Sequence, residues 1–162
     1  MKKTITILAI VMLISFIASA ILVGIQLQNM ESLQIKIVDV SEEKEIEISE
    51  KTNCIEIDTI IVDEVNVMHT DEENIRVELT GSYTTVMDRK VKLYTDKRTH
   101  NIKISVKQEG LLRYVQFGDY TNELVLNVYI PRTYEETLDI DVFCRVLNID
   151  KSIENSNINL YD

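Results

Sequence analysis

An all-β domain, a stack of short strands of solenoid-like or sandwich type preceded by one transmembrane helix, is the architecture this 162-residue chain predicts. Two observations carry that expectation. From Ile46 onward apolar residues recur with period two, in short runs about 8 to 12 residues apart, the rhythm of sandwiches and barrels. Before them, Thr4 to Ile25 (TITILAIVMLISFIASAILVGI) is a largely apolar stretch with no Asp, Glu, Lys or Arg.

Taken in order, residues 1–3 are a cytoplasmic start: Lys2 and Lys3 precede the apolar stretch, and the positive-inside bias holds them there. Residues 4–25, as a helix rising about 1.5 Å per residue, span roughly 33 Å, the thickness of a hydrocarbon core. A second reading is a secretory signal cut after Ala20, at the small-x-small pattern Ala18-Ser19-Ala20. Apolar residues continue beyond that cut through Ile21, Leu22, Val23 and Ile25, which favours the uncleaved anchor. Either way residues 28–162 are exported. Residues 26–44 form a juxtamembrane stalk ending near the acidic, solvated Glu42, Glu43, Glu45 and Glu47, with a possible lead-in strand where Leu33, Ile35 and Ile37 alternate.

Residues 45–162 form the extracytoplasmic β domain. Its apolar faces read Ile46 and Ile48, Ile55 and Ile57, Val65 and Val67, then Ile75, Val77 and Leu79. They continue with Val91 and Leu93, then Ile102, Ile104 and Val106, then Leu124, Leu126, Val128 and Ile130. Leu138, Ile140 and Val142 follow, then Leu147 and Ile149, then Ile158 and Leu160. Alternate residues of a strand point to opposite faces, so each run offers one apolar and one wet face. Asn and Asp supply most turns, because only Gly81, Gly110 and Gly118 lie in the domain. Pro131 ends its strand, since it has no N–H to donate to a ladder.

Charge narrows the partners. The net charge is −10, and every acidic residue lies after the apolar stretch, so the exported part repels nucleic acid. Cys54 and Cys144 are candidates for a disulfide closing about 90 residues, worth roughly 4 kcal/mol in the chain-entropy model; the alternative is two separate half-buried thiols. No Cys-x-x-Cys, nucleophile elbow, zinc-binding helix or phosphate-cradling glycine loop is present. His69 precedes Thr70-Asp71-Glu72-Glu73, residue types that bind divalent metals, but in an exposed turn such carboxylates are simply solvated. No cofactor, metal or catalytic set is therefore expected. The least generic segment is Gly110 to Thr121, GLLRYVQFGDYT, where Arg113, Tyr114, Phe117 and Tyr120 are the residue types that dominate binding hot spots. It reads either as a recognition loop for an envelope protein or glycan, or as a hairpin with inward aromatics.

Three stretches carry a resemblance: Ile55 to Tyr83, Asn101 to Gln108 (NIKISVKQ), and Glu123 to Asp150. Together they resemble the adhesin-like, or toast-rack, domains of bacterial surfaces, in which short strands end in acidic turns and a third strand ends in Gly, here Gly81. Phe143-Cys144-Arg145 stands where that family has a Ser-Gly-Asp-like turn. The resemblance implies a membrane-tethered scaffold or recognition role with no inherited catalytic residues. The expectation is a single-pass protein displaying a non-catalytic adhesin-like or envelope interaction module. The alternatives are an accessory regulator of an envelope-stress response acting through a partner membrane protein, and a cleaved secreted protein.

Overall fold

The computed structural model describes residues 12, 15, 16, 19–21, 36–85, 90–109, 122–153 and 156–161. They fall into two units, residues 1–35 and 36–162. In the first, the described residues are helical, and the Ser19 hydroxyl donates to the Ser15 carbonyl at 2.9 Å. Among the described residues no helix is long and apolar enough to cross a membrane. Most of the 4–25 span lies outside the described residues.

Among its described residues the second unit has ten strands: β1 (Lys36–Ile46), β2 (Cys54–Thr59), β3 (Glu64–Thr70), β4 (Ile75–Thr85), β5 (Lys90–Lys97), β6 (Asn101–Glu109), β7 (Asn122–Pro131), β8 (Thr137–Phe143), β9 (Val146–Ile149) and β10 (Ser156–Tyr161). They form two mixed sheets, β1-β4-β7-β3-β9 and β10-β8-β2-β6-β5. Each successive pair β2/β3, β4/β5, β6/β7 and β8/β9 gives one strand to each sheet. The coils β6/β7, β2/β3 and β8/β9 stack in parallel, as in a solenoid, whereas β4/β5 runs back antiparallel at one end. Solenoid and sandwich are thus both apt: parallel coils, two facing sheets, one core between them.

The alternation puts the expected residues in that core. Ile55, Ile57, Val65, Val67, Ile75, Val77, Leu79, Ile102, Ile104, Leu124, Leu126 and Val128 are fully buried. At about 25 cal/mol per Å2, burying one such side chain contributes roughly 1.5–3 kcal/mol, so the interdigitated apolar rows hold the stack together. Pro131 does close β7.

Three expectations need correction. Lys36–Ile46, most of it read as stalk, is strand β1, paired with β4 from Lys36↔Thr85 to Ile46↔Ile75. Its inward apolar residues are Val38, Val40 and Ile46, while Ile37 is 74% exposed. An edge strand opposed by only part of the other sheet needs few apolar residues, which is why its sequence looked like a stalk. Gly81 lies within β4 rather than at its end. Its φ is +118°, and there the neighbouring backbone comes too close for any Cβ. Finally, Ile158 and Leu160 point inward beside Ile140 and Val142, yet remain 47% and 48% exposed, because among the described residues no strand of the other sheet stands opposite β10.

The two ends of the stack are finished differently. Along β5 three outward backbone groups, all at Val91 and Leu93, are taken up by side chains. Val91 N–H donates to the Tyr83 hydroxyl (3.2 Å), Leu93 N–H donates to Glu42 Oε2 (2.9 Å), and Lys44 Nζ donates to the Leu93 carbonyl (2.6 Å). The first half of that edge is thus covered by the chain's own polar groups. At the other end β9 and β10 are the terminal strands of their sheets.

Candidate functional site

In-register stacking converts a repeated tetrad into rows. The pattern apolar-polar-Ile-polar occurs in Ile55-Glu56-Ile57-Asp58, Ile102-Lys103-Ile104-Ser105 and Leu138-Asp139-Ile140-Asp141, and, with serine in the apolar place, in Ser156-Asn157-Ile158-Asn159. The register aligns Lys103, Glu56, Asp139 and Asn157 in one outward row, and Ser105, Asp58, Asp141 and Asn159 in the next. Neighbouring strands lie about 4.8 Å apart, so four side chains span roughly 14 Å.

These rows line a groove of about 430 Å3. Lys103 Nζ sits 2.8 Å from Asp58 Oδ2 and 3.6 Å from Glu56 Oε2, and this pairing with Asp58 raises the lysine pKa. Asn101 Nδ2 donates to Glu56 Oε1 at 3.0 Å, and Asn157 Nδ2 to Asp139 Oδ1 at 2.7 Å. The face therefore holds four carboxylates and one ammonium in straight order, most of them already hydrogen-bonded to each other.

The opposite sheet carries a neutral counterpart. Asn148 Nδ2 donates to Asn66 Oδ1 (2.8 Å), and Asn66 Nδ2 donates to Asn127 Oδ1 (2.9 Å), an asparagine ladder across β9, β3 and β7. Beyond it the Arg76 guanidinium lies 4.2 Å from the Tyr129 ring centroid and 2.8 Å from Glu78 Oε1. A second cavity, about 380 Å3, opens where β7 turns into β8; His69, Arg132, Tyr134, Glu135, Glu136 and Ser152 are among its walls. Burial pushes the Tyr134 phenol well above its ordinary range, and its hydroxyl donates to the Thr137 carbonyl at 3.0 Å.

The cysteines stay apart. Register sets Cys54 beside Thr137, the first residue of β8, whereas Cys144 follows the last. Seven residues at about 3.3 Å each separate them by roughly 23 Å along the strands, far beyond the ~4.4–6.8 Å that a disulfide bridges. Neither is in a disulfide, Cys54 being half-buried and Cys144 buried, so the candidate pairing gives way to two separate cysteines. The Cys54 thiol donates to Asp139 Oδ2 at 3.3 Å. Burial, then that hydrogen bond and the Asp139 charge, push it up to about 11, so it remains protonated and a poor nucleophile at neutral pH.

The histidines go to backbone partners. His69 Nδ1 is 3.3 Å from the Ile130 carbonyl and His100 Nδ1 is 3.1 Å from the Lys51 carbonyl. The acidic turn after His69 disperses: Asp71 pairs with Arg132 at 3.0 Å and Glu72 with Arg76 at 3.5 Å. Among the described residues, no three His, Cys, Asp or Glu side chains are grouped to hold a metal ion. The recognition-loop residues Arg113, Tyr114, Phe117 and Tyr120 lie outside the described residues. What reading runs one at a time missed was the groove itself; its signal was the repeated tetrad, visible only when the runs are superposed.

No protein-family model matches the chain, and no curated protein matches it in sequence. Among solved structures it is similar to the crystal structure of a "putative cell adhesion protein" from Clostridium sporogenes ATCC 15579, with a TM-score of 0.42 and 10% identity. The likeness covers 69% of this chain and 57% of that one, so this chain spans little more than half the length of the protein it matches. A likeness at that level carries no argument about function.

Proposed function

We propose that the chain is a membrane-anchored, non-catalytic interaction module whose β domain is displayed outside the bilayer and binds an adhesion or envelope partner. The observation that carries this reading is the pair of flat outer faces on which in-register stacking sets polar side chains in straight rows. Such stacks present extended surfaces rather than enclosed pockets, and repeat architectures use them for macromolecular recognition. The raised Cys54 thiol and the engagement of both histidines with backbone carbonyls favour binding over nucleophilic chemistry. The anchor rests on the uncharged Thr4 to Ile25 stretch and the lysines before it.

The test is crosslinking of the full-length chain in intact cells, followed by washing of membranes and identification of bound proteins or glycans. A Met1-containing chain in washed membranes, with its β domain open to external protease and a reproducible partner, is the expected result. A soluble product beginning at Ile21 would overturn the anchor. Failure to retain any partner under crosslinking would overturn the interaction module.

A further inference from the structure

The two rims of the β domain, where the strands end, differ in kind. Register sets the first rim at the start of β1, where Lys36 pairs with Thr85. It continues past the starts of β3 and β9 (Glu64↔Val146) to the ends of β8 and β10 (Phe143↔Tyr161). The opposite rim holds the turns after β1, β3, β5, β7 and β9. Among the described residues of the domain, the exposed large apolar side chains besides the inward pair Ile158 and Leu160 are Ile37, Ile60, Phe143, Val146 and Tyr161. All five lie on the first rim: Ile37 beside Lys36, Ile60 directly after β2, Phe143 and Tyr161 ending β8 and β10, and Val146 opening β9. Among the described residues the opposite rim has none, and its turns are polar, as in the exposed Asp71-Glu72-Glu73 and Glu135-Glu136.

Charge is divided in the same way. The chain carries −10, yet on the first rim Lys36, Lys90, Lys92, Lys107 and Arg145 balance the carboxylates among the described residues. Three of those carboxylates are engaged: Asp63 by the Leu124 N–H (3.1 Å), Glu64 by Asn148 Nδ2 (3.2 Å) and Glu109 by Lys92 Nζ (3.0 Å). The acidic surplus lies away from this rim.

We infer that the first rim rests on a lipid bilayer, its aliphatic and aromatic side chains among the headgroups and its lysines level with the phosphates, while the two flat faces stand clear of the membrane. The inference rests on the membrane anchor proposed above. β1 reaches four residues, about 13 Å, past the level of Val146, so a domain leaning toward β9 brings the whole rim to one plane.

Three points select lipid over other occupants. The first is where the chain enters. Residues 26–35 separate the apolar stretch from Lys36, and ten residues reach at most about 35 Å. β1, 11 residues at about 3.3 Å each, is as long, so bringing the opposite rim to the bilayer would take the entire tether. The second is composition: tyrosine, aliphatic side chains and lysine together are what the membrane–water interface collects. With its surplus of acid turned away, the domain approaches an anionic surface by its least repelled side. The third is position. A further coil beside β10 would prolong the sheets and leave Ile37 and Ile60, on strands remote from that edge, as exposed as they are.

The chain has no tryptophan, so a single one reports its own surroundings. Full-length Ile60→Trp, Phe143→Trp and, on the opposite rim, Thr133→Trp are placed in phosphatidylcholine vesicles that carry a spin label high on the acyl chain. Emission from positions 60 and 143 is expected to shift to the blue and to be quenched by the labelled lipid several-fold more than emission from 133. Acrylamide quenches position 133 the most. Adding Ile37→Glu to Phe143→Trp lowers the lipid quenching while the far-ultraviolet circular dichroism is unchanged.

Four results would each overturn the inference. A chain washed off the vesicles at alkaline pH overturns the anchor and the resting rim together. A retained chain whose positions 60 and 143 match 133 in both kinds of quenching overturns the rim contact and leaves the anchor standing. Positions 60 and 143 shielded from acrylamide yet untouched by the labelled lipid would assign the rim to protein. Lipid quenching undiminished by Ile37→Glu would show that the introduced tryptophan, and not the rim, makes the contact.

Discussion

Replacing Gly81 by alanine tests the geometry of the antiparallel end of the stack. Gly81 sits within β4 with Val40 on one side and Leu124 on the other, at a φ of +118°. An added Cβ would lie 1.9 Å from the Glu123 carbonyl oxygen, 2.9 Å from its carbon and 3.1 Å from Leu124 Cα, all backbone atoms. Reaching ordinary contact at 3.4 Å requires β4 and β7 to part by about 1.5 Å, which stretches their hydrogen bonds beyond useful length. Two lost ladder bonds cost about 1 kcal/mol each. Holding a non-glycine residue at this φ adds about 1–3 kcal/mol. The sum, roughly 3–5 kcal/mol, is a large part of a total of about 5–15 kcal/mol. Urea titration followed by far-ultraviolet circular dichroism is expected to show a lower midpoint at unchanged slope. Gly81→Asn is expected to be no better than Gly81→Ala, because asparagine tolerates positive φ but brings the same Cβ. A loss under about 1 kcal/mol for alanine would refute the reasoning. A clear rescue by asparagine would show that φ, not the clash, sets the cost.

Other consequences are open to direct measurement. Cys54 is expected to alkylate slowly at about pH 8, and Asp139→Asn, by replacing the charged acceptor with a neutral amide, lowers the thiol pKa and speeds the reaction; an unchanged rate would exclude the Asp139 charge as a cause. Lys103→Met strips the groove of its ammonium and is expected to cost about 1 kcal/mol, partly recovered by added salt. Equal stability at low and high salt would refute that account. The Ser152 amide (3.1 Å) and hydroxyl (2.8 Å) both donate to Asp150 Oδ1 and hold its carboxyl below the ordinary range. Its folded pKa is therefore depressed: the contribution is full above the unfolded value of about 3.9 and is lost as pH falls through the folded value. Asp150→Asn should flatten the acid limb of the melting temperature against pH; a wild-type slope in the variant would exclude this group.

Much of the fold was readable in the chain because burial on one face imposes period two. Ile55, Ile57, Leu126 and Ile140 needed nothing beyond alternation to be placed in the core. Pairing was not readable, because one apolar run offers no clue to which other run lies beside it. That β2 joins β6 and β8, rather than its neighbour in sequence, depends on the whole set of coils packing together. β1 was missed for a local reason: its inward positions include Glu42 and Lys44, whose task is to bond another strand's backbone, so they break the apolar pattern they belong to. The groove was half legible, since the apolar face Leu138, Ile140 and Val142 leaves Asp139 and Asp141 on the wet side, but its partners Glu56, Asp58 and Lys103 came from strands far apart in sequence. Cysteine pairing failed on distance along the strand, a quantity that sequence separation does not encode.

The strand order β4-β7-β3 has a consequence for how the chain is made. β2/β3 and β4/β5 are synthesised early, yet they do not touch as neighbouring layers; β6/β7, completed only at Pro131, must come between them. A chain emerging amino end first therefore holds two apolar half-structures apart until most of its length is available. High contact order of this kind slows folding and leaves strand edges uncovered meanwhile. Charged side chains on an edge strand disfavour wrong pairing, so the five charged residues that β1 carries between Asp39 and Glu45 suit an edge that is made first and closed last.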